Sequence, residues 1–339
     1  MKKEIVSDGE TAVKKENPWK RFNPFKNIYK LNPMRLKDVD WARWKRKNLN
    51  WNGFGRFAWI ILRFIIIFGI CFTIIYPYLV KGIVSFMSTN DIVDSTVMYI
   101  PREGSTYFIE KAIVSMEYWP ALLNTALLSL AASILTLLVS TFVGYGFARF
   151  KFPGKNLLFF LVILTLIIPA QTIMIPLYAR FNYFIFGSIL NTFWPIVILA
   201  ATGLGLKNGL YIYMMRQFFR GMPKELEMSA YIDGAGHFRT FFSIMLPNAS
   251  NMMITIFLFA FTWQWTDTTY NNMLFPKLQI LTNTVLNVTK ATASATADKV
   301  QSQALIDTSS LLLILPLLLV FLVAQRYFIQ SIERSGLVE

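Results

Sequence analysis

Residues 223–247 read PKELEMSAYIDGAGHFRTFFSIMLP, and Met215 to Met222 lead into them. The composition describes two short helices with a break between them. Pro223 suits a first helical position, where its missing N–H costs nothing. Glu225 and Glu227 follow at the positive end of the helix dipole. Leu226 and Ala230, four apart, make a small apolar stripe. Gly234 ends this helix, because glycine takes left-handed φ cheaply. Gly236 then caps a second helix, with Phe238, Phe241, Phe242 and Met245 as its apolar face. Pro247 marks the junction with the apolar run that follows. Helix physics alone is equally satisfied by an amphipathic segment resting on a membrane.

The surroundings say where this segment sits. A bilayer core takes about 20 mostly apolar residues in a helix. Six stretches qualify, at approximately 57–80, 121–146, 156–177, 191–214, 248–266 and 305–326. The expected fold is therefore an all-α integral membrane protein with six transmembrane helices, and residues 215–247 form a loop between spans four and five. Pro169 and Pro176 make the third span a kinked one. Arg63 lies roughly 9 Å from the Phe57 end of the first span, close enough to snorkel to the interface. Lys207, in the fourth, has two readings. Either it lines a polar path, or that helix is interrupted near Gly203 and Gly205.

Charge sets the orientation. With six spans, the side holding both termini collects 24 of the 33 Lys and Arg residues, and the other side 7. The positive-inside rule places both termini and the 215–247 loop in the cytoplasm. Composition agrees with a membrane protein: 55% of residues are hydrophobic and only 15% charged, yet the net charge is +14. An ordinary soluble domain carries about 25% charged residues. One cysteine (Cys71) and one histidine (His237) exclude a disulfide framework and a Cys/His metal cluster. No Ser-His-Asp arrangement is credible with its only histidine in the loop.

Residues 1–56 form a basic amino-terminal extension with 15 basic and 6 acidic residues. Trp41, Trp44 and Trp51 are interleaved with Arg43, Lys45, Arg46 and Lys47. Such a pattern can bind nucleic acid, but it also describes an interfacial amphipathic helix on an anionic leaflet. The apolar run begins six residues after Trp51, which favours membrane lipids; no nucleic-acid partner is expected. Residues 57–330 would be the six-span domain and 331–339 a cytoplasmic tail.

The loop also carries a spacing. A triplet at Met228-Ser229-Ala230 is followed after three residues by Gly234, and after nine more by Ile244 and Leu246-Pro247. This resembles the EAA loop of ABC importer permeases: Glu-Ala-Ala, three residues, Gly, nine residues, Ile-x-Leu-Pro. The string from Pro223 to Glu227 with Ala230 to Ala235 looks like the carbohydrate-uptake branch, especially permeases of the maltose transporter second-subunit type. Arg216 to Phe219, Gly144 to Arg149, Pro176 to Tyr178 and Gln325 to Gln330 are similar to the same family. The resemblance runs from about Phe57 to Gln330. Two departures stand out. The triplet's glutamate is Met228, which cannot make that residue's electrostatic contact with an ATPase, and Glu227 lies about 100° around the helix. The usual Trp-Asn-Asp after span five appears as Trp265-Thr266-Asp267.

What the resemblance implies is a permease subunit of an ATP-driven importer for an oligosaccharide or other carbohydrate. A non-sugar solute is the alternative, and an ATPase-independent carrier a more remote one. A second permease, two ATPase subunits and an extracytoplasmic solute-binding protein would complete the assembly, in the plasma membrane of a prokaryote. The chain has no G-x-x-x-x-G-K-[ST] motif. It is therefore not expected to be an enzyme or to bind a cofactor or metal; ATP and magnesium would belong to the partner ATPases. Coupling would fall to Pro223, Glu225, Leu226, Glu227, Ala230, Asp233, Gly234, Ala235, Leu246 and Pro247, with a stiff helix continuous through Pro247 into span five. Asn124, Thr125, Asn208, Trp263 and Gln264, with Asn191, are candidates for the substrate path. Helix–helix hydrogen bonding accounts for them equally well. The outward stretch 267–304 is read either as a surface for the binding protein or as a solvated loop.

Overall fold

A computed structural model describes residues 51–185, 187–294 and 299–335. The chain divides into two compact units, residues 1–74 and 75–339. The basic extension, with Trp41 and Trp44, lies outside the described residues up to residue 50, as do the last four residues of the tail.

The first unit is described from Trp51 onward, within helix α1 (Trp51–Ser85). From Phe57 to Ile74 every side chain is exposed, Phe57, Trp59 and Phe64 among them. A helix apolar all round requires a bilayer or another protein. Cys71 is one of these exposed residues.

The second unit is helical. After the end of α1 come α2 (Thr89–Val93), α3 (Tyr107–Ser115), α4 (Tyr118–Arg149), α5 (Lys155–Ile167) and α6 (Ala170–Asn182). Then follow α7 (Trp194–Ala201), α8 (Asn208–Gly221), α9 (Glu225–Ile232), α10 (His237–Asn248) and α11 (Ser250–Thr266). The last are α12 (Thr269–Leu274), α13 (Leu281–Ser294) and α14 (Lys299–Ser335). Helix α4 is the central one and packs on α8, α11 and α7. Its approach to α8 is close. A Cβ on Gly144 would stand 2.6 Å from Met215 Cβ and 3.0 Å from the Arg216 nitrogen. Without a hydrophobic drive between helices in lipid, such small residues let backbones meet.

Among the described residues, three helices are long and apolar enough to cross a membrane: Phe57–Ser85, Tyr118–Arg149 and Lys299–Gln325. Two bent pairs pass the same test together. One is Lys155–Ile167 with Gln171–Asn182, bent by 100°; the other is α10 with α11, bent by 73°. The first bend falls at Pro169, as the sequence suggests.

The expected fourth span, 191–214, is not one helix. It is split into α7 and α8, with residues 202–207 between them, so the helix is interrupted near Gly203 and Gly205. Helix α7 closes in a Schellman motif: Leu204 N–H bonds Leu199 O at 2.9 Å and Gly203 N–H bonds Ala200 O at 3.3 Å. Gly203 supplies the left-handed φ of +78° this closure demands. Lys207 then starts α8 from φ +57°, an uncommon conformation for a lysine.

Residues 267–304 are not a solvated loop in their described part. They hold α12 and α13, with Leu274, Phe275, Ile280 and Leu281 fully buried. Asn283 Nδ2 donates to Phe275 O at 2.9 Å and Asn271 O at 3.1 Å. A segment rich in Asn and Thr can pack inside when its amides are paired in this way.

Candidate coupling site and transmembrane path

Helix α8 stops because a proline follows. Pro223 pushes Met222 to extended backbone, φ −71° and ψ 140°. Helix α9 begins at Glu225 with Lys224 as its cap, so Pro223 precedes the helix rather than opening it. Gly234 ends α9 by the same Schellman closure seen at Gly203. Ala235 N–H bonds Ala230 O at 2.9 Å and Gly234 N–H bonds Tyr231 O at 3.1 Å, with Gly234 at φ +77°. Gly236 is extended and caps α10.

Helix α10 is not a stiff extension of span five. It contains a π turn over Phe241–Met245. It then bends by 73° into α11. Pro247 lacks the N–H that would have continued the ladder. The expected apolar face also splits. Phe241 and Met245 are buried, whereas Phe238 is 82% and Phe242 50% exposed.

The α9 helix is held to the end of α4. Glu227 is buried, and its Oε1 accepts from Tyr145 Oη at 3.0 Å and lies 3.3 Å from Arg149 Nε. Arg149 also donates from Nη2 to Met222 O at 2.9 Å. One guanidinium thus grips both ends of the turn between α8 and α9. Tyr145 sits in a ring cluster, 4.6 Å from Phe241 and 5.3 Å from Phe219 between centroids. Tyr231 Oη and His237 Nδ1 lie 2.8 Å apart across the Gly234 break. Burial first, and then the Glu227 carboxylate, push the Tyr231 phenol above its ordinary value, so it stays neutral at physiological pH.

Ala230 is buried beneath α9, and Ala235 and Leu246 are half-buried; Glu225, Leu226, Asp233, Gly234 and Pro247 are exposed. The outward surface mixes the charged Glu225 and Asp233 with large apolar side chains. Met228 is 60% and Ile232 85% exposed, and both lie near exposed Leu226 and Phe238 in the sequence. In the sequence, Arg149 and Tyr145 stand out only as part of the family-like stretch from Gly144 to Arg149. Nothing local shows their partner, since Tyr145 meets Glu227 across 82 positions.

The candidate path residues separate into two groups. Asn124 Nδ2 donates to Gln279 O at 2.9 Å, and Thr125 Oγ1 accepts from Leu281 N–H at 2.9 Å. Asn191 Oδ1 accepts from Lys277 N–H at 2.7 Å. These three tie the 267–304 region to the helices. Gln264 is buried, donates to Asn271 Oδ1 at 3.3 Å, and lines a cavity of about 10 Å³ with Thr136, Gly205 and Tyr270, room for about one water.

Asn208 is buried with neither side-chain oxygen nor nitrogen hydrogen-bonded. Trp263 is exposed, and Lys207 Nζ lies 5.1 Å from its ring centroid. A lysine at membrane depth costs about 2.5–3.5 kcal/mol. A cation–π contact returns roughly 0.5–2 kcal/mol. No carboxylate pairs with Lys207 among the described residues.

Comparison with known proteins now decides the family. The model of the binding-protein-dependent transport system inner membrane component matches residues 137–334. The chain belongs to this family. Arabinooligosaccharides transport system permease protein AraQ of Halalkalibacterium halodurans is 27% identical over 79% of this chain and 92% of its own. Osmoprotective compounds uptake permease protein GgtD of Synechocystis is 30% identical over 70% and 77%. Lactose transport system permease protein LacG of Rhizobium radiobacter is 26% identical over 78% and 91%. Among solved structures, a bacterial ABC transporter involved in the import of the acidic polysaccharide alginate shares the fold, with TM-score 0.67 and 18% identity over 80% of this chain and 96% of that one. The expectation of an ABC importer permease of the carbohydrate-uptake branch is met. The permease is an inner membrane component whose ATP hydrolysis rests on separate subunits, and it works with a solute-binding protein, an ATPase and a partner permease.

Proposed function

We propose that the permease is one of two membrane subunits of an ATP-driven importer for an oligosaccharide delivered by a solute-binding protein. The observation that carries this reading is the pair α9 and α10, broken at Gly234 and fixed to α4 through Glu227 and Arg149. It is a rigid projection suited to receiving a push from an ATPase. The named sugars of AraQ and LacG support a saccharide cargo. GgtD favours a second reading, an osmoprotective solute.

In this account the permease has six spans, α7 and α8 together forming the fourth. Both termini and residues 215–247 face the cytoplasm, residues 1–56 lie on the inner leaflet, and two ATPase subunits hold the nucleotide and magnesium. The coupling surface is formed by Pro223, Glu225, Leu226, Asp233, Gly234 and Ala235, backed by Glu227, Ala230, Leu246 and Pro247. With Met228 in place of the triplet's glutamate, docking is apolar: Met228, Ile232 and Phe238 enter the ATPase cleft. ATP-driven closure then moves α9 and α10 as one body against the spans, a rigid-body switch between outward and inward openings.

The test is reconstitution with the second permease, the ATPase and the binding protein. ATP-dependent uptake of a labelled arabino-oligosaccharide or lactose supports the reading. Uptake of an osmoprotectant alone supports the second, and uptake without ATP overturns both.

A further inference from the structure

Two runs of neighbouring residues meet at the break in the fourth span: Lys207 with Asn208 at the start of α8, and Trp263 with Gln264 near the end of α11. Helix α8 is 14 residues long, which puts Lys207 roughly 20 Å from its loop end at Gly221. Trp263 lies a similar distance, roughly 20 Å, from Ser250 at the start of α11. The 5.1 Å contact between the Lys207 ammonium and the Trp263 ring therefore puts a cation and an indole from two separate helices at one level, inside the fourth and fifth spans.

That level is a poor place for an exposed charge. Lys207 and Trp263 are both exposed on the permease, and Lys207 has no carboxylate partner among the described residues. A charge so placed must face a second protein or a watery path rather than lipid. The backbone holds it there at some cost, since Lys207 sits at φ +57°. Strained conformations persist where the surroundings over-determine them, and they gather at functional sites. Beside it, Asn208 is 1% exposed with both amide atoms unpaired.

We infer that Lys207 and Trp263 form a solute subsite on the transport path for a negatively charged saccharide. The apolar face of the sugar ring stacks on the indole, and its carboxylate meets the Lys207 ammonium. A neutral sugar brings no counter-charge to the ammonium, which then keeps only its contact with the indole, so the subsite discriminates by charge. The break at residues 202–207 is what frees Lys207 from the helix surface to do this. The inference rests on the importer reading above and names its cargo class.

The complete importer, with both permeases, the ATPase and the binding protein, is placed in nanodiscs. Equilibrium dialysis then measures binding of trigalacturonate against neutral galactotriose. Wild type should prefer the acid by about tenfold or more. Lys207→Met should abolish that preference, Lys207→Arg should keep it, and Trp263→Leu should weaken both sugars. ATPase activity stimulated by the binding protein is recorded for wild type to establish that the importer is assembled and coupled. Absence of a preference for the acid in wild type overturns the subsite, as does Lys207→Met binding the acid like wild type. If Lys207→Met fails to assemble, Lys207→Gln and Trp263→Leu carry the same comparison. Loss of stimulated ATPase activity in wild type sinks the importer reading instead, separately from the dialysis result.

Discussion

Glu227 is turned inward and lies 3.3 Å from Arg149, so the carboxylate next to the missing glutamate of the loop triplet serves the permease's own packing. The two side chains are 6% and 11% exposed. A pair this buried contributes little beyond a matched apolar pair, but removing one partner strands a charge.

Glu227→Ala is therefore expected to loosen α9 from α4 at a cost of about 3–5 kcal/mol. Uptake should fall while the ATPase subunits still hydrolyse ATP. The double variant Arg149→Met/Glu227→Leu should regain most of the lost stability, because both charges are gone. Thermal unfolding of the purified complex and the ratio of solute moved to ATP consumed check both. A double variant as damaged as the single would show that the charges do more than dock the helix.

Gly234 has φ +77°, and a Cβ there would meet nothing within 4 Å. The penalty for a side chain is thus one of backbone conformation, about 1–2 kcal/mol. Gly234→Val should uncouple hydrolysis from uptake by changing the angle between α9 and α10. Gly234→Asn should do so less, since asparagine tolerates left-handed φ better. Unchanged uptake with a normal ATPase response in the valine variant would refute the role of the Gly234 break in coupling.

Gly144 packs directly on Met215 and Arg216 of α8. Here the obstacle is a neighbour rather than a dihedral. Gly144→Ala should separate α4 from α8 and destabilise the permease by about 1–3 kcal/mol. A melting temperature equal to wild type in the purified complex would contradict this close approach.

Lys81 pairs with Asp307 of α14, with side chains 27% and 21% exposed. Partial exposure limits its worth to about 0.2–1 kcal/mol. Lys81→Asp and Asp307→Lys should each lower stability by that order, and the swapped double variant should recover it. A double-mutant cycle on thermal unfolding measures the coupling directly, and additive losses would show that the pair does not interact.

Much of this was readable along the chain. The broken α9 and α10 pair followed from Gly234 and Gly236, and the bend between α5 and α6 from Pro169, because caps and breaks are local backbone preferences. The interruption at Gly203 was readable only as one of two alternatives, since a lysine in an apolar stretch fits a polar path or a break equally well. The burial of residues 267–304 was not readable. Their Asn and Thr composition suits a loop, and only the pairing of Asn271 with Asp267 O and of Asn283 with Asn271 O and Phe275 O makes it an interior. The stiff joint expected at Pro247 is a 73° bend instead, because a proline shows that a helical ladder is interrupted but not how far the axis turns.

By itself, then, the sequence determined the membrane class, the helical content, the glycine breaks and the loop spacing that marks the family. These depend on one residue's φ or on the apolarity of one continuous segment. Tertiary structure alone decided which loop carboxylate turns inward, which arginine meets it, how closely Gly144 approaches Met215, and that Lys207 stands over Trp263. Each of those joins segments far apart in the chain. Their meeting depends on the path of every helix between them, which no local preference encodes.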